Sequence, residues 1–455
     1  MTDSITALHR LHVAELERRY APLFERFALD GLVVHAGTQQ KKTRYDDQYW
    51  PLRPNPHFQH WLPLEEAGAL LALRPSKKPV LWRSTAFDFW EAAARIERSI
   101  FEPFEVHEVD GPLPFASVRE AGERGLFLGE DDAVATSLGL GRADANADLL
   151  AAVDALRVRK TPYEIACLAE ANRRACLGHQ AVGDQFATGD FSELELHLAY
   201  LRATGQDDAE TPYKNIVALG AAGATLHYVR YDHGRRTQGT DSLLVDAGAC
   251  FRGYCSDITR THVRGSGDLA ATFRALIDGV DRFQQVLIDR AVAGRPYESL
   301  HDESHALLAS LLVESKLFHG DAELAVSSGL TRALLPHGLG HSLGLQCHDV
   351  GCASMTPRAD NPFLRNTSII APDQCFTIEP GIYVIERLLA PFRAHAAIGA
   401  LVNWKLLDAL SPFGGIRVED DLVVESTGAC RNLTRPHFVS SPKGAAARDG
   451  AVFLA

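Results

Sequence analysis

Apolar positions recur along this chain with two different periods. At the N-terminus, in MTDSITALHRLHVAELERRY, the residues Ile5, Leu8, Leu11, Val13 and Leu16 predict one face of an amphipathic helix. From about Leu32 to Leu128, short apolar runs (LVVHAG, ALLALRP, PVLWRS, GLFLGE) alternate with helical stretches, predicting an α/β domain around a small sheet. A second unit starts near Arg157. There Thr161 can cap a helix, Pro162 suits its first turn, and Glu164 completes a Thr-x-x-Glu capping box, with Ile165, Leu168, Asn172 and Cys176 along one face. A further helix is marked by Phe273, Leu276, Ile277, Val280 and Leu287 and ended by Gly294 and Pro296, and another by Leu300, Leu307, Leu308, Leu311 and Leu312. Strand-like runs DSLLVDAG, QCFTIEPGIYVI and IRVEDDLVVE lie between and after them, so this unit is expected to be α+β, with helices over a curved sheet. The expected division is residues 1–156, residues 157–436 and a tail over residues 437–455.

Composition narrows the class. A chain of 455 residues suits two domains, each with its own core. A net charge of -12 argues against binding a phosphate backbone, so no nucleic-acid partner is expected. No apolar run approaches about 18 residues, which argues against a membrane partner. The N-terminus lacks a signal-like apolar region, so a cytoplasmic protein is expected. The eight cysteines include Cys250 with Cys255 and Cys347 with Cys352 but no CxxC pair; reduced thiols are expected, and neither a thiolate zinc site nor disulfides.

Five candidate metal ligands dominate the second half: Asp246 in LLVDAG, Asp257 in CSDITRT, His341 in PHGLGHSLGLQCHD, Glu379 in FTIEPG and Glu419 in GGIRVED. Four carboxylates gathered in a buried pocket repel one another unless cations neutralise them. Four acids overcharge one divalent ion and nearly balance two, and an oxygen-rich set with one nitrogen favours Mn, with Mg, Co and Fe(II) behind it. If CFRG turns with Phe251 and Arg252 at its tip, Asp246 faces Asp257 across a hairpin. Gly338 and Gly340 give the loop bearing His337, His341 and His348 the backbone freedom to turn three imidazoles toward one cavity. VDAG and IEPG look like loose counterparts, as do DITRT and IRVED, which suggests two related halves.

In this order the motifs closely resemble those of the proline dipeptidases (prolidases) of the pita-bread metallopeptidase family. The resemblance implies a non-catalytic N-terminal α/β domain, used for dimerisation and control of substrate length, before a pita-bread catalytic domain. It also implies hydrolysis of dipeptides ending in proline by water or hydroxide bridging two Mn ions. Asp257 and Glu419 would bridge the ions, Asp246 would hold one, and His341 and Glu379 the other. Glu379 would also shuttle the proton to the leaving nitrogen, His337 and His348 would contact the reacting carbonyl, and Arg417 would orient bridging or substrate oxygens. Arg365 and His227 resemble the residues that hold the substrate carboxylate, and Tyr213 and Tyr297 resemble pocket-lining tyrosines. In relatives a segment like KTRYDDQYWPLRPNPHFQHW reaches the neighbouring subunit's site, so a homodimer is expected, with Asp46, Asp47 or Trp50 restricting substrate length. Cys347 departs from the aliphatic residue frequent in relatives. The competing readings are an aminopeptidase P acting on longer peptides, a phosphotriester hydrolase like the organophosphorus acid anhydrolases, and a non-catalytic peptide-binding module.

Overall fold

The computed structural model describes residues 2–90, 96–118, 124–235, 241–353 and 355–438, with side chains from residue 5 onward. Of the expected tail only His437 and Phe438 fall within it; the rest lies outside the described residues.

In the first unit, strands β1 (Gly31–His35), β2 (Leu70–Leu73), β3 (Val80–Ser84), β4 (Glu105–Val109), β5 (Gly125–Leu128) and β6 (Gly141–Arg142) form one mixed sheet in the order β4-β3-β2-β1-β5-β6. Strand β1 pairs antiparallel with β2 and parallel with β5. Successive side chains point to opposite faces, and here both faces are covered. Leu32, Val34, Leu71 and Leu81 meet Val13, Leu16 and Tyr20 of the helix Thr2–Arg26, while Val33, Leu70, Ala72 and Trp82 meet Phe127, Ala135 and Leu138. The apolar runs are continuous for that reason.

The face predicted for the N-terminal helix needs correction. Leu11 is 68% exposed, and the inward positions beside Ile5, Val13 and Leu16 go to His9 and His12. His12 Nδ1 lies 2.8 Å from Thr161 Oγ1, so this face meets the start of the second unit rather than ending in the first core.

The second unit opens with the helix Pro162–Thr188, whose Thr161–Glu164 capping box is fully formed. Its strands are β7 (Ile216–Leu219), β8 (Ser242–Asp246), β9 (Cys250–Phe251), β10 (Tyr254–Cys255), β11 (Thr259–Val263), β12 (Cys375–Ile378), β13 (Gly381–Ile382), β14 (Ile416–Arg417), β15 (Asp420–Val424) and β16 (Cys430–Asn432). They make two three-stranded antiparallel sheets, β11-β8-β7 and β12-β15-β16, with the short pairs β9/β10 and β13/β14. The helices Asp268–Arg290 and Tyr297–Glu314 bury Phe273, Val280, Leu287, Leu308 and Leu312 against Phe376, Ile378, Leu422 and Val424. The Glu419 amide donates to the Thr259 carbonyl at 3.1 Å and joins the two sheets.

The hairpin register also differs from expectation. Phe251 pairs with Tyr254 and Asp246 with Thr259, so Arg252 and Gly253 form the tip, and Asp257 lies two residues before Thr259, the residue that faces Asp246 in its place. Both tip residues have positive φ, 51° and 85°, as a two-residue hairpin turn of the primed type requires. A shift of two residues keeps every side chain on its face, so the aspartates still converge.

Candidate metal centre

The four candidate carboxylates lie at or beside strand ends. Asp246 closes β8 and Asp257 precedes β11; in the other sheet Glu379 follows β12 and Glu419 precedes β15. Each half thus offers one acid where a strand ends and another just before the strand that returns beside it. His341 comes from the glycine loop, clamped onto β12 by hydrogen bonds from the His341 amide to Thr377 Oγ1 (3.2 Å) and from the Thr377 amide to the His341 carbonyl (2.9 Å). At Gly340 a Cβ would lie 2.2 Å from the Thr377 carbonyl oxygen and 2.4 Å from the Tyr297 hydroxyl, so no side chain fits.

The donor atoms converge on one imidazole nitrogen. His341 Nε2 lies 3.3 Å from Asp257 Oδ2, 3.5 Å from Glu379 Oε1 and 4.0 Å from Glu419 Oε1. His341 Nδ1–H donates to the Ser342 carbonyl at 3.1 Å, which fixes the tautomer that leaves Nε2 free to ligate. Asp257, His341 and Glu419 each place a donor atom within 4.8 Å of the others. The electrostatics fit a cation. Burial, with three neighbouring acids, pushes Glu419 well above the carboxylate range, and burial raises Asp246 and takes Glu379 to about 7. Glu419 Oε1 is buried with no hydrogen-bond partner among the described residues. Burial opposes charge on His341, but the hydrogen bond to Asp257 and the Glu379 charge raise it to about 9; burial also opposes charge on Asp257, but that same bond, the His341 charge and the hydrogen bonds from Cys347 and Tyr213 together lower it to about 2. These residues suit divalent ions, which would replace the missing positive charge.

Residues not assigned from sequence hold the donors in place. Thr259 Oγ1 donates to Glu419 Oε2 at 2.7 Å and accepts from Arg417 Nε at 3.0 Å. Arg417 also reaches Asp246 Oδ2 (2.5 Å) and the Tyr383 hydroxyl (2.7 Å). Tyr383 in turn donates to His337 Nε2 at 3.0 Å, while His337 Nδ1 donates to the Gly338 carbonyl at 2.8 Å. Asp421 Oδ2 accepts from the Asp257 amide (3.0 Å) and from Asn172 (2.8 Å). Thr259 and Tyr383 stand inside the DITRT and EPGIY segments, but only the tertiary pairing shows what they touch.

A cavity of about 480 Å³ gathers Asp246, Asp257, His341, Glu379 and Glu419 with His227, His337, His348, Arg365 and Arg417. Leu226, Phe363, Ile385 and Leu388 form its apolar wall, which sequence reasoning missed. The two tyrosines expected to line it do not. Tyr213 stands behind the donors, its single O–H shared between Asp246 Oδ1 (2.7 Å) and Asp257 Oδ1 (2.5 Å). Tyr297 is fully buried, with its hydroxyl on the Thr377 carbonyl at 2.7 Å. Both rings were drawn inward by polar partners on the strands. Both His337 nitrogens bond within the protein, while exposed His348 stacks its ring edge on His341 at 4.3 Å between centroids. Cys347 Sγ donates to Asp257 Oδ2 at 2.8 Å, which places the unexpected thiol against a donor. Asp46, Asp47 and Trp50 lie outside this cavity, on an exposed loop bridged by Lys41 and Tyr49.

Residues 166–426 match the model of metallopeptidase family M24, and residues 7–155 match that of the Xaa-Pro dipeptidase N-terminal domain. The chain is 38% identical over 448 residues to an Xaa-Pro dipeptidase of Shewanella sp. (strain W3-18-1), covering 95% of this chain and 98% of that one. With the Xaa-Pro dipeptidase of Shewanella oneidensis it shares 38% identity over 443 residues, 95% of this chain and 99% of the relative. Among solved structures, proline aminopeptidase P II from Yersinia pestis superimposes with a TM-score of 0.72 at 23% identity, over 95% of this chain and 97% of that one. Aminopeptidase P from E. coli with the inhibitor Pro-Leu gives 0.70 at 21% identity, over 94% and 95%.

Proposed function

Because this chain belongs to metallopeptidase family M24, in its Xaa-Pro dipeptidase branch with a pita-bread catalytic domain, we propose that it hydrolyses dipeptides whose second residue is proline. The observation that carries this reading is the single cavity in which five metal donors stand beside the exposed guanidinium of Arg365. We put the domain boundaries at residues 156/157 and 436/437.

Asp246, Asp257, His341, Glu379 and Glu419 would hold two divalent ions; the hardness of the oxygen donors favours Mn, with Co, Mg or Fe(II) as alternatives. The chemistry such ions supply when bound is Lewis acidity: a more acidic water and a polarised peptide carbonyl. Everything else falls to this chain's side chains. Arg365, with His227 beside it, binds the free carboxylate of the substrate, a task for which a guanidinium fork suits. Leu226, Phe363, Ile385 and Leu388 give the proline ring its apolar surface in place of the tyrosines first considered. Glu379 takes a proton from the attacking water on its carboxylate and returns it to the proline nitrogen. His348 donates to the reacting carbonyl oxygen, and His337, held by Tyr383, fixes the cavity wall. Arg417, Thr259 and Tyr213 keep three of the donor carboxylates aimed.

The chain works as a homodimer in the cytoplasm. What supports dimerisation is the aromatic loop of the first unit, where Tyr45 and Trp50 are 83% and 57% exposed. Among the described residues no helix is long and apolar enough to cross a membrane.

One parallel assay tests the function. Metal-loaded protein should cleave an Xaa-Pro dipeptide and fall to background after chelation, with little turnover of the dipeptide amide, an Xaa-Pro-Xaa tripeptide or a phosphotriester. Equal rates on the acid and the amide or tripeptide would move the assignment to aminopeptidase P, and a preference for the phosphotriester would move it to that chemistry.

A further inference from the structure

Outside the metal centre, a second cavity of about 850 Å³ lies where the first unit's Leu52, Pro54 and Gln59 meet the β9/β10 hairpin, and Cys250 and Cys255 both line it. The two cysteines are directly opposed across the hairpin, with Sγ atoms 3.8 Å apart. Their amides point away from each other: Cys250 N–H donates to Gln206 Oε1 and Cys255 N–H to the Gly344 carbonyl, each at 2.8 Å. They therefore occupy the closely spaced, non-hydrogen-bonded kind of antiparallel pair, whose Cα separation of about 4.5 Å lies within the range that disulfides span. The hairpin is held tightly. A Cβ on Gly248 would fall 2.0 Å from the Ser256 carbonyl oxygen, so the two backbones run in close contact beside the pair, and with the cysteines already directly opposed, side-chain rotation brings the sulfurs together.

We propose that Cys250 and Cys255 are a reversible modification site, closing into a cross-strand disulfide when a small peroxide reaches the cavity. The Cys250 sulfur, the more exposed of the two, attacks one oxygen of hydrogen peroxide; the O–O bond breaks, leaving Cys250 as a sulfenic acid and releasing one water. The Cys255 sulfur then attacks the Cys250 sulfur, the S–O bond breaks, and a second water leaves. Two thiols are oxidised and one peroxide is reduced, and an external thiol reverses the change by exchange. The site lies on the connection between two donors, since Asp246 stands four residues before Cys250 and Asp257 two residues after Cys255. The disulfide would thus tether the segment that carries both aspartates. Closure of this pair depends on hairpin geometry and not on peptidase activity.

The full-length reduced protein, exposed to hydrogen peroxide, quenched with an alkylating reagent and digested without reductant, tests it. The expected result is loss of two of its eight thiols, a peptide linking positions 250 and 255, and full recovery after dithiothreitol. Neither C250S nor C255S should give that linked peptide, and having both variants guards against a failure of either to fold. Eight alkylatable thiols after treatment would overturn the proposal. So would oxidation confined to Cys347, or a linkage joining any other pair.

Discussion

Two regions of this molecule bury ionisable side chains densely, and they are balanced in opposite ways. At the seam between the units, Glu164 and Asp349 sit among His12, His60, Arg157 and Lys160, with Lys160 Nζ 2.7 Å from Asp349 Oδ2 and Arg157 bonded to Asp349 Oδ1. Burial opposes both charges, yet the histidines and Lys160 pull Glu164 down, and Arg157 and Lys160 pull Asp349 down, so both acids stay ionised. At the metal centre four acids have Arg417 and His341 as their close cations, and three of the four are driven upward. Internal compensation marks the seam as scaffold, and its absence marks the pocket as a place for something the chain does not encode. Density of charge alone would not have separated the two.

The comparison breaks first, and with the largest effect, at the donors. Asp257→Asn should lower dipeptide turnover by about 10⁴-fold, roughly 5 kcal/mol on the barrier, with loss of bound metal. Steady-state kinetics with elemental analysis check this, and full occupancy with unchanged turnover would remove Asp257 from the donor set.

The same acid-to-amide exchange at the seam should act on stability. Asp349→Asn leaves Arg157 and Lys160 without their shared carboxylate and should destabilise the metal-free protein by about 3–5 kcal/mol, read by chemical denaturation. Glu419→Gln, in the same metal-free comparison, should stabilise by about 1 kcal/mol because it relieves repulsion at a functional site. Equal signs for the two variants would erase the distinction between the regions.

Acid should test the seam as a whole. Burial lowers His9 to about 4 and His12 and His57 to about 3, below the ordinary value of 6.5. An unfolded chain therefore binds protons that the folded chain refuses. The stability these histidines contribute is present above pH 6.5 and is lost as pH falls from there toward 3–4, by on the order of 3 kcal/mol per histidine at pH 4. Denaturation midpoints between pH 7 and pH 4 measure it; a flat profile would show that the seam histidines do not govern acid stability.

Tyr213→Phe sharpens the contrast with a smaller change. Removing the hydroxyl shared by Asp246 and Asp257 should weaken metal binding about 10–100-fold without altering the donor count. Calorimetric titration of the apoprotein would reveal it.

The donors were legible because each acid is bounded locally, by the glycine of VDAG, the threonine run of DITRT, the Pro-Gly of IEPG or the strand after IRVED. The capping box at Thr161–Glu164 was legible for the same reason. What escaped depended on distant partners. Tyr297 looks like a pocket aromatic until the Thr377 carbonyl, 80 residues away, is seen to hold its hydroxyl. His12 was readable only as a helix residue, because Thr161 lies 149 residues off. The hairpin register slipped by two because Arg252 takes a left-handed conformation that its residue type does not announce. The Leu226–Phe363–Ile385–Leu388 wall comes from three separate segments, and no spacing connects them.

The pocket's uncompensated acids call for two divalent cations to balance them. Counting tightly held Mn on chelator-stripped, reloaded and dialysed protein by elemental analysis tests this most directly. Two ions per chain are expected, with dipeptidase activity returning as they are restored. Full Xaa-Pro hydrolysis by protein that retains no metal would contradict it.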